Sequence, residues 1–97
     1  MEYRLLVLVE YKTKLGCRDA FLKKLAENDI AEKCLHEPDC GQYEFFVPVR
    51  AGDSVLLIEK WRCRESQIAH KGFDTYQVLT AIKEKYVRDT IVDMYDL

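Results

Sequence analysis

At 97 residues the chain has room for one domain, spanning 1–97, with an expected radius of gyration of about 12–13 Å. A unit of that size buries roughly 60–65% of its unfolded surface, enough for one core but marginal for a deep enclosed pocket. Fifteen Lys and Arg against 17 Asp and Glu leave a formal charge of −2, mixed along the chain, so no basic block exists to meet nucleic acid or an anionic membrane. Aliphatic and aromatic content is too high for disorder, and no apolar run approaches the ~20 residues that cross a bilayer. The start, Met1-Glu2-Tyr3-Arg4, lacks the basic region and small-residue cleavage site of a signal peptide. The expectation is a soluble cytoplasmic protein with neither nucleic acid nor membrane as its partner.

Tyr3 to Lys12, rich in Leu and Val, reads as a largely buried strand stopped by Leu15-Gly16. From Cys17 to about Leu35 the period is helical, with Phe21, Leu22, Leu25 and Ala26 on one arc. Asp29 falls inside that arc. Either Asp29 to Glu32 is a capping box that breaks the helix, or Asp29 points into a polar pocket. His36-Glu37-Pro38-Asp39-Cys40-Gly41 is a turn, Pro38 fixing φ and Gly41 tolerating what other residues cannot. Gln42 to Val49 is a second strand ended by Pro48. Across Arg50 to Asp53 it forms a hairpin with a third strand, Ser54 to Arg62. Arg64 to Lys71 is a short helix stopped by Gly72. Asp74, with Gln77 three residues on, starts another, striped with Tyr76, Val78, Leu79, Ile82 and Tyr86. Asp89 to Tyr95 is a last strand.

The order β-α-β-β-α-α-β is that of an α+β, ferredoxin-like split βαβ, an antiparallel sheet with its helices on one face. Leu, Val and Phe lie on both sides of these strands, so the second face is apolar and predicts a homodimer with the two sheets face to face.

Four cysteines, Cys17, Cys34, Cys40 and Cys63, accompany no secretory signal and no C-x-x-C pair, which disfavours a disulfide framework. They read as small buried thiols. Zinc held by Cys34, His36 and Cys40 is the alternative, although the spacing matches no standard knuckle. Only two histidines can move protons near neutral pH. His36 reads as a solvated turn residue. His70 closes the short helix nine residues after Trp61, among Trp61, Phe73 and Tyr76. Flat apolar walls around an imidazole suit proton abstraction from a planar aromatic or quinone-like substrate. The competing reading is a histidine favoured at a helix C-terminus by the dipole.

Cys40-Gly41-Gln42-Tyr43-Glu44 after Glu37-Pro38, then Ile58-Glu59-Lys60-Trp61, then Ala69-His70 one short helix later, resemble the antibiotic biosynthesis monooxygenase family. The similarity also takes in Lys14-Leu15-Gly16 and Phe21-Leu22, and so covers nearly the whole chain. The resemblance implies a dimeric α/β barrel, each subunit's pocket lying between sheet and helices. It implies oxygenation with no cofactor, neither metal nor flavin: a deprotonated phenol, hydroquinone or enol reduces O2 directly. His70 matches the family's helix histidine and becomes the general base. Trp61 would wall the pocket, and the Tyr43 hydroxyl would donate to a substrate oxygen; both also read as core aromatics. Phe73, Tyr76 and Asp29 complete the expected pocket.

The departures narrow the field. A second histidine that often follows the first is absent from Lys71 to Tyr76, so a mechanism built on a histidine pair would require Tyr76 to substitute. The first strand has no Asn and Thr80 stands at the histidine position of the haem-degrading branch, which disfavours haem degradation. An isomerase branch that takes a phosphorylated sugar needs cations over the pocket, for which Lys71 is the candidate. The leading expectation is a cofactor-independent monooxygenase of a small aromatic, quinol or enol substrate. The alternatives are an isomerase on the same scaffold and a non-catalytic ligand-binding dimer.

Overall fold

The computed structural model describes residues 2–50 and 52–97. The sequence LLVLVEYKT forms β1 (Leu5–Thr13), in which buried and half-buried positions alternate along the whole strand. Since strand side chains point alternately to two faces, Leu5, Val7, Val9, Tyr11 and Thr13 look toward the helices. Leu6, Leu8, Glu10 and Lys12 look the other way. Then follow α1 (Arg18–Glu27), α2 (Ile30–Leu35), β2 (Cys40–Phe46), β3 (Ser54–Trp61), α3 (Arg64–His70), α4 (Asp74–Tyr86) and β4 (Val87–Asp96). The sheet runs β2-β3-β1-β4 with every pairing antiparallel, the α+β ferredoxin-like arrangement.

Several boundaries differ from the sequence reading, each for a local reason. The helical stretch after Cys17 divides at Asp29, whose φ of 50° is left-handed. Asp tolerates that region better than most residues. Its carboxylate makes no cap hydrogen bond, so the break lies in the backbone and not in a capping box. Phe73, not Asp74, caps α4, again without a side-chain bond. In the turn before β2 the left-handed residue is Asp39, with φ 65°. Gly41 is needed for a different reason: a Cβ there would lie 2.6 Å from the Tyr3 ring. β2 ends at Phe46, before Pro48, so the hairpin connection runs over 47–53, within which Ala51 lies outside the described residues.

The core lies between the sheet and the helices. Trp61, Phe21, Leu5 and Ile30 are fully buried, each such apolar side chain stabilising the fold by about 1.5–3 kcal/mol. Tyr11 meets Phe21 edge-on at 5.5 Å, which ties β1 to α1. The helices do not cover the whole sheet. On β4, Val92 and Met94 share the helix-facing side through their register with Val9 and Val7, yet they remain 49% and 38% exposed. A gap therefore opens between β4 and the α3–α4 pair. The opposite face of the sheet carries Leu6, Leu8, Leu56, Ile58 and Ile91, with Leu8 directly opposite Ile58.

Candidate functional site

The helix α3 is built the wrong way round for a core helix. Its buried residues are Gln67 and His70, one turn apart, while Ile68 is 63% exposed. A polar stripe facing inward has to be met by polar partners, and the partner of His70 comes from the turn after α2. His70 Nδ1 lies 2.6 Å from Glu37 Oε1, with the two side chains only 2% and 7% exposed. That turn is fastened to α3 and β3 at Asp39. Ser66 Oγ donates to Asp39 Oδ2 at 2.9 Å, and the Arg62 amide donates to the Asp39 carbonyl at 2.9 Å.

Three aromatic rings enclose the imidazole. Trp61 lies at 4.9 Å between centroids, Tyr76 at 5.2 Å edge-on and Tyr43 at 5.6 Å. Trp61 is itself held, its Nε1 donating to Glu59 Oε1 at 2.9 Å. Two buried oxygens here, Glu37 Oε2 and the Tyr43 hydroxyl, have no nitrogen or oxygen partner, and the Cys34 thiol is the polar group beside both residues. Burial pushes the Tyr43 phenol well above its ordinary range, so the hydroxyl stays a donor.

His70 opens onto a cavity of about 110 Å³ between the sheet and α3–α4. Tyr43, Glu59, Gln67, Tyr76 and Lys83 line it together with β1 and the uncovered stretch of β4. Nδ1 is engaged by Glu37, and Nε2 has no hydrogen-bond partner among the described residues. A larger open cleft of about 440 Å³ lies between α1, α2 and β2. It holds Asp29, Glu32 and Glu44 but no histidine and no buried polar cluster, so its size carries no chemistry.

Of the residues expected from sequence, His70, Tyr43 and Tyr76 meet at the smaller cavity. Trp61 backs the imidazole without lining that cavity. Asp29 does not join them: the left-handed turn leaves it exposed on the larger cleft. Phe73 is also apart, 40% exposed where it caps α4. Sequence reasoning missed Glu37, Glu59, Gln67 and Lys83. A signal existed for Gln67, which lies three residues before His70 on a helix whose apolar residue Ile68 sits off that stripe.

Cys34, Glu37 and His70 are the one trio of metal-ligand types found close together among the described residues, their ligand atoms within 4.8 Å of one another. Tetrahedral zinc with bonds of roughly 2.0–2.3 Å would hold its ligand atoms roughly 3.3 Å or more apart. The 2.6 Å Nδ1–Oε1 separation is instead a hydrogen bond. Burial raises the Cys34 thiol far above its ordinary range, which keeps it a neutral S–H. His36, expected as a possible partner of Cys34 and Cys40, is exposed and donates from Nδ1 to the Glu32 carbonyl at 2.8 Å. All four cysteines are free thiols, with Cys34 buried and the other three part-exposed.

Glu59 is the buried carboxyl on the cavity wall, and desolvation pushes its pKa up. A folded-state value above the unfolded one contributes stability below the ordinary range of about 4.3 and loses it as pH rises through the folded value. Glu59→Gln should therefore become progressively more stable relative to the parent as pH rises above about 4.3, as read by denaturant unfolding. A stability difference that stays flat with pH contradicts this assignment.

The family profile described as antibiotic biosynthesis monooxygenase matches residues 4–81. Among solved structures, a Pseudomonas aeruginosa protein superimposes with a TM-score of 0.88 at 16% identity, covering 100% of this chain and 96% of its own. A Nitrosomonas europaea protein provisionally assigned as an antibiotic biosynthesis monooxygenase gives 0.84 at 17%, covering 94% and 95%. A structure named antibiotic biosynthesis monooxygenase gives 0.82 at 24%, covering 96% and 97%. No curated protein sequence gives a significant match. These structural likenesses establish the fold, and the profile match extends over most of the sequence: the chain belongs to the antibiotic biosynthesis monooxygenase family.

Proposed function

We propose that the protein is a monooxygenase of a small aromatic, quinol or enol substrate, with His70 as general base. The observation that carries this reading is the imidazole held at Nδ1 by a buried carboxylate while Nε2 is left unpartnered at a cavity. Glu37 accepting from Nδ1–H selects the tautomer whose Nε2 lone pair is free to take a proton. The same carboxylate stabilises the imidazolium that forms, the role an acid plays behind a catalytic histidine elsewhere. Glu37 is thus a positioning residue and His70 the catalytic one. The Tyr43 hydroxyl on the cavity wall supports the reading further: beside it lies only the weak Cys34 thiol, a partner that a developing substrate oxyanion would outcompete.

The reaction balances without a further reductant. Deprotonation at Nε2 turns a quinol into an electron-rich anion. O2 takes four electrons from it, one oxygen atom entering the ring and the other leaving as water, so that quinol becomes hydroxyquinone. The residues supply base, orientation and a water-poor chamber. The reading calls for no resident cofactor. Lys71 and Lys83 at the cavity favour a second reading, isomerisation of an anionic metabolite; turnover that persists under strict anaerobiosis would select it.

Oxygen uptake with a panel of hydroquinones is the direct assay. We expect consumption by the parent and a loss of kcat of about 10²–10⁴ in His70→Gln. Glu37→Gln should lower kcat by at least tenfold with KM little changed, because the hydrogen-bond shape survives while the charge behind the imidazolium does not. Parent-like kcat in both variants overturns the assignment of the base.

The family commonly forms dimers, and the uncovered sheet face of Leu6, Leu8, Leu56 and Ile58 supports a homodimer here. Sedimentation of the parent should give a dimer, and Leu8→Glu with Ile58→Lys should give folded monomers. A parent that is monomeric at high concentration contradicts it.

A further inference from the structure

The chamber beside His70 is not uniformly apolar. Lys83 projects from α4 and Lys71 from the end of α3, and both line it. Lys83 is half-buried, with Nζ 5.3 Å from the centroid of the Tyr11 ring, itself part of the cavity wall. Neither lysine forms an ion pair among the described residues. An ammonium half out of water is costly, and desolvation weakens the hold of Lys83 on its proton more than the Glu59 charge strengthens it. The ring face of Tyr11 returns part of that cost through its quadrupole. A bound anion would return more.

Glu59 is the one carboxyl on this wall. Its Oε1 is committed to Trp61, and a single carboxyl does not balance two cations. Size narrows the ligand further. An apolar cavity of about 150 Å³ is known to take benzene, and the chamber here is about 110 Å³ and open at β4. The chamber is smaller than that, so it admits nothing larger than one ring, and the substituents have to lie toward the mouth.

We infer that the substrate is a single-ring phenol or quinol bearing a carboxylate, received by Lys83 with Lys71 assisting at the mouth. Lys83 would be the specificity-determining residue. An anchored carboxylate leaves few ways for the ring to turn, and so decides which hydroxyl reaches Nε2 of His70. This rests on the reading of the His70 chamber as the reaction site and adds the charge of what enters it.

The test is binding, measured anaerobically so that turnover cannot interfere. The probes are 2,5-dihydroxybenzoate and its methyl ester, two hydroquinones that differ in the charge. Calorimetric titration of the parent should show the acid binding about tenfold or more tighter than the ester, the range for a charge-assisted contact. Lys83→Met should erase that preference by weakening the acid and leaving the ester within about twofold, and Lys71→Met should weaken the acid by less. Circular dichroism checks that each variant folds. Equal binding of acid and ester, an equal loss of both in Lys83→Met, or no binding of either probe overturns the inference. Oxygen uptake is read separately. A parent that prefers the acid but consumes no O2 with any quinol leaves this inference standing and removes the oxygenase reading. A parent that consumes O2 with neutral quinols and shows no preference for the acid does the reverse.

Discussion

One buried contact organises this molecule, the hydrogen bond between His70 and Glu37. Taking a carboxylate and an imidazole out of water costs several kcal/mol, which only close geometry and further hydrogen bonds offset. The 2.6 Å separation supplies the first. The second is weak, since beyond His70 the Glu37 carboxylate has only the Cys34 thiol beside it. Structures built for stability alone would fill the same volume with apolar side chains at no loss. A buried polar pair retained in the centre of a small core is what a functional site looks like from the standpoint of stability.

Much of the fold exists to bring those two residues together. They are 33 positions apart, on a turn and on a seven-residue helix, neither of which is rigid alone. The left-handed Asp29 redirects the chain into α2, and the left-handed Asp39 turns it into β2. Asp39 then accepts from Ser66 and Arg62, which ties the turn to both ends of the β3–α3 corner. Trp61, Tyr43 and Tyr76 fill the space around the imidazole, so its orientation is decided by packing as well as by the acid. Where the helices stop short, along β4, the chamber opens. Access and enclosure thus come from one feature, the mismatch between a four-stranded sheet and the helices that cover it.

The architecture was legible because strand and helix periods are local properties. The alternation in Leu5–Thr13, the hairpin around residues 47–53 and the helix from Asp74 all follow from residues within one element. His70 was legible too, since only two histidines exist and one of them is followed by Gly72 and flanked by aromatics. Its acid was not. Glu37 sits in a polar turn, where a carboxylate is unremarkable, and only the closing of the sheet carries it inward. Lys83 was hidden for a similar reason, occupying a helix position that reads as solvated until β1 brings Tyr11 beneath it. Asp29 and Phe73 lie away from the His70 chamber because their backbones turn them out: a left-handed residue leaves the helical arc, and an extended cap leaves the helix altogether.

The role of His70 as base depends on which nitrogen carries the proton when the ring is neutral. Nitrogen-15 NMR of the labelled protein reads this directly. With Glu37 accepting from the ring, the spectrum should show protonation at Nδ1 with an unprotonated Nε2, and a shift of that balance when Glu37 is replaced by Gln. A neutral ring protonated at Nε2, unaffected by the replacement, would mean that the carboxylate does not set the tautomer and that the lone pair does not face the chamber.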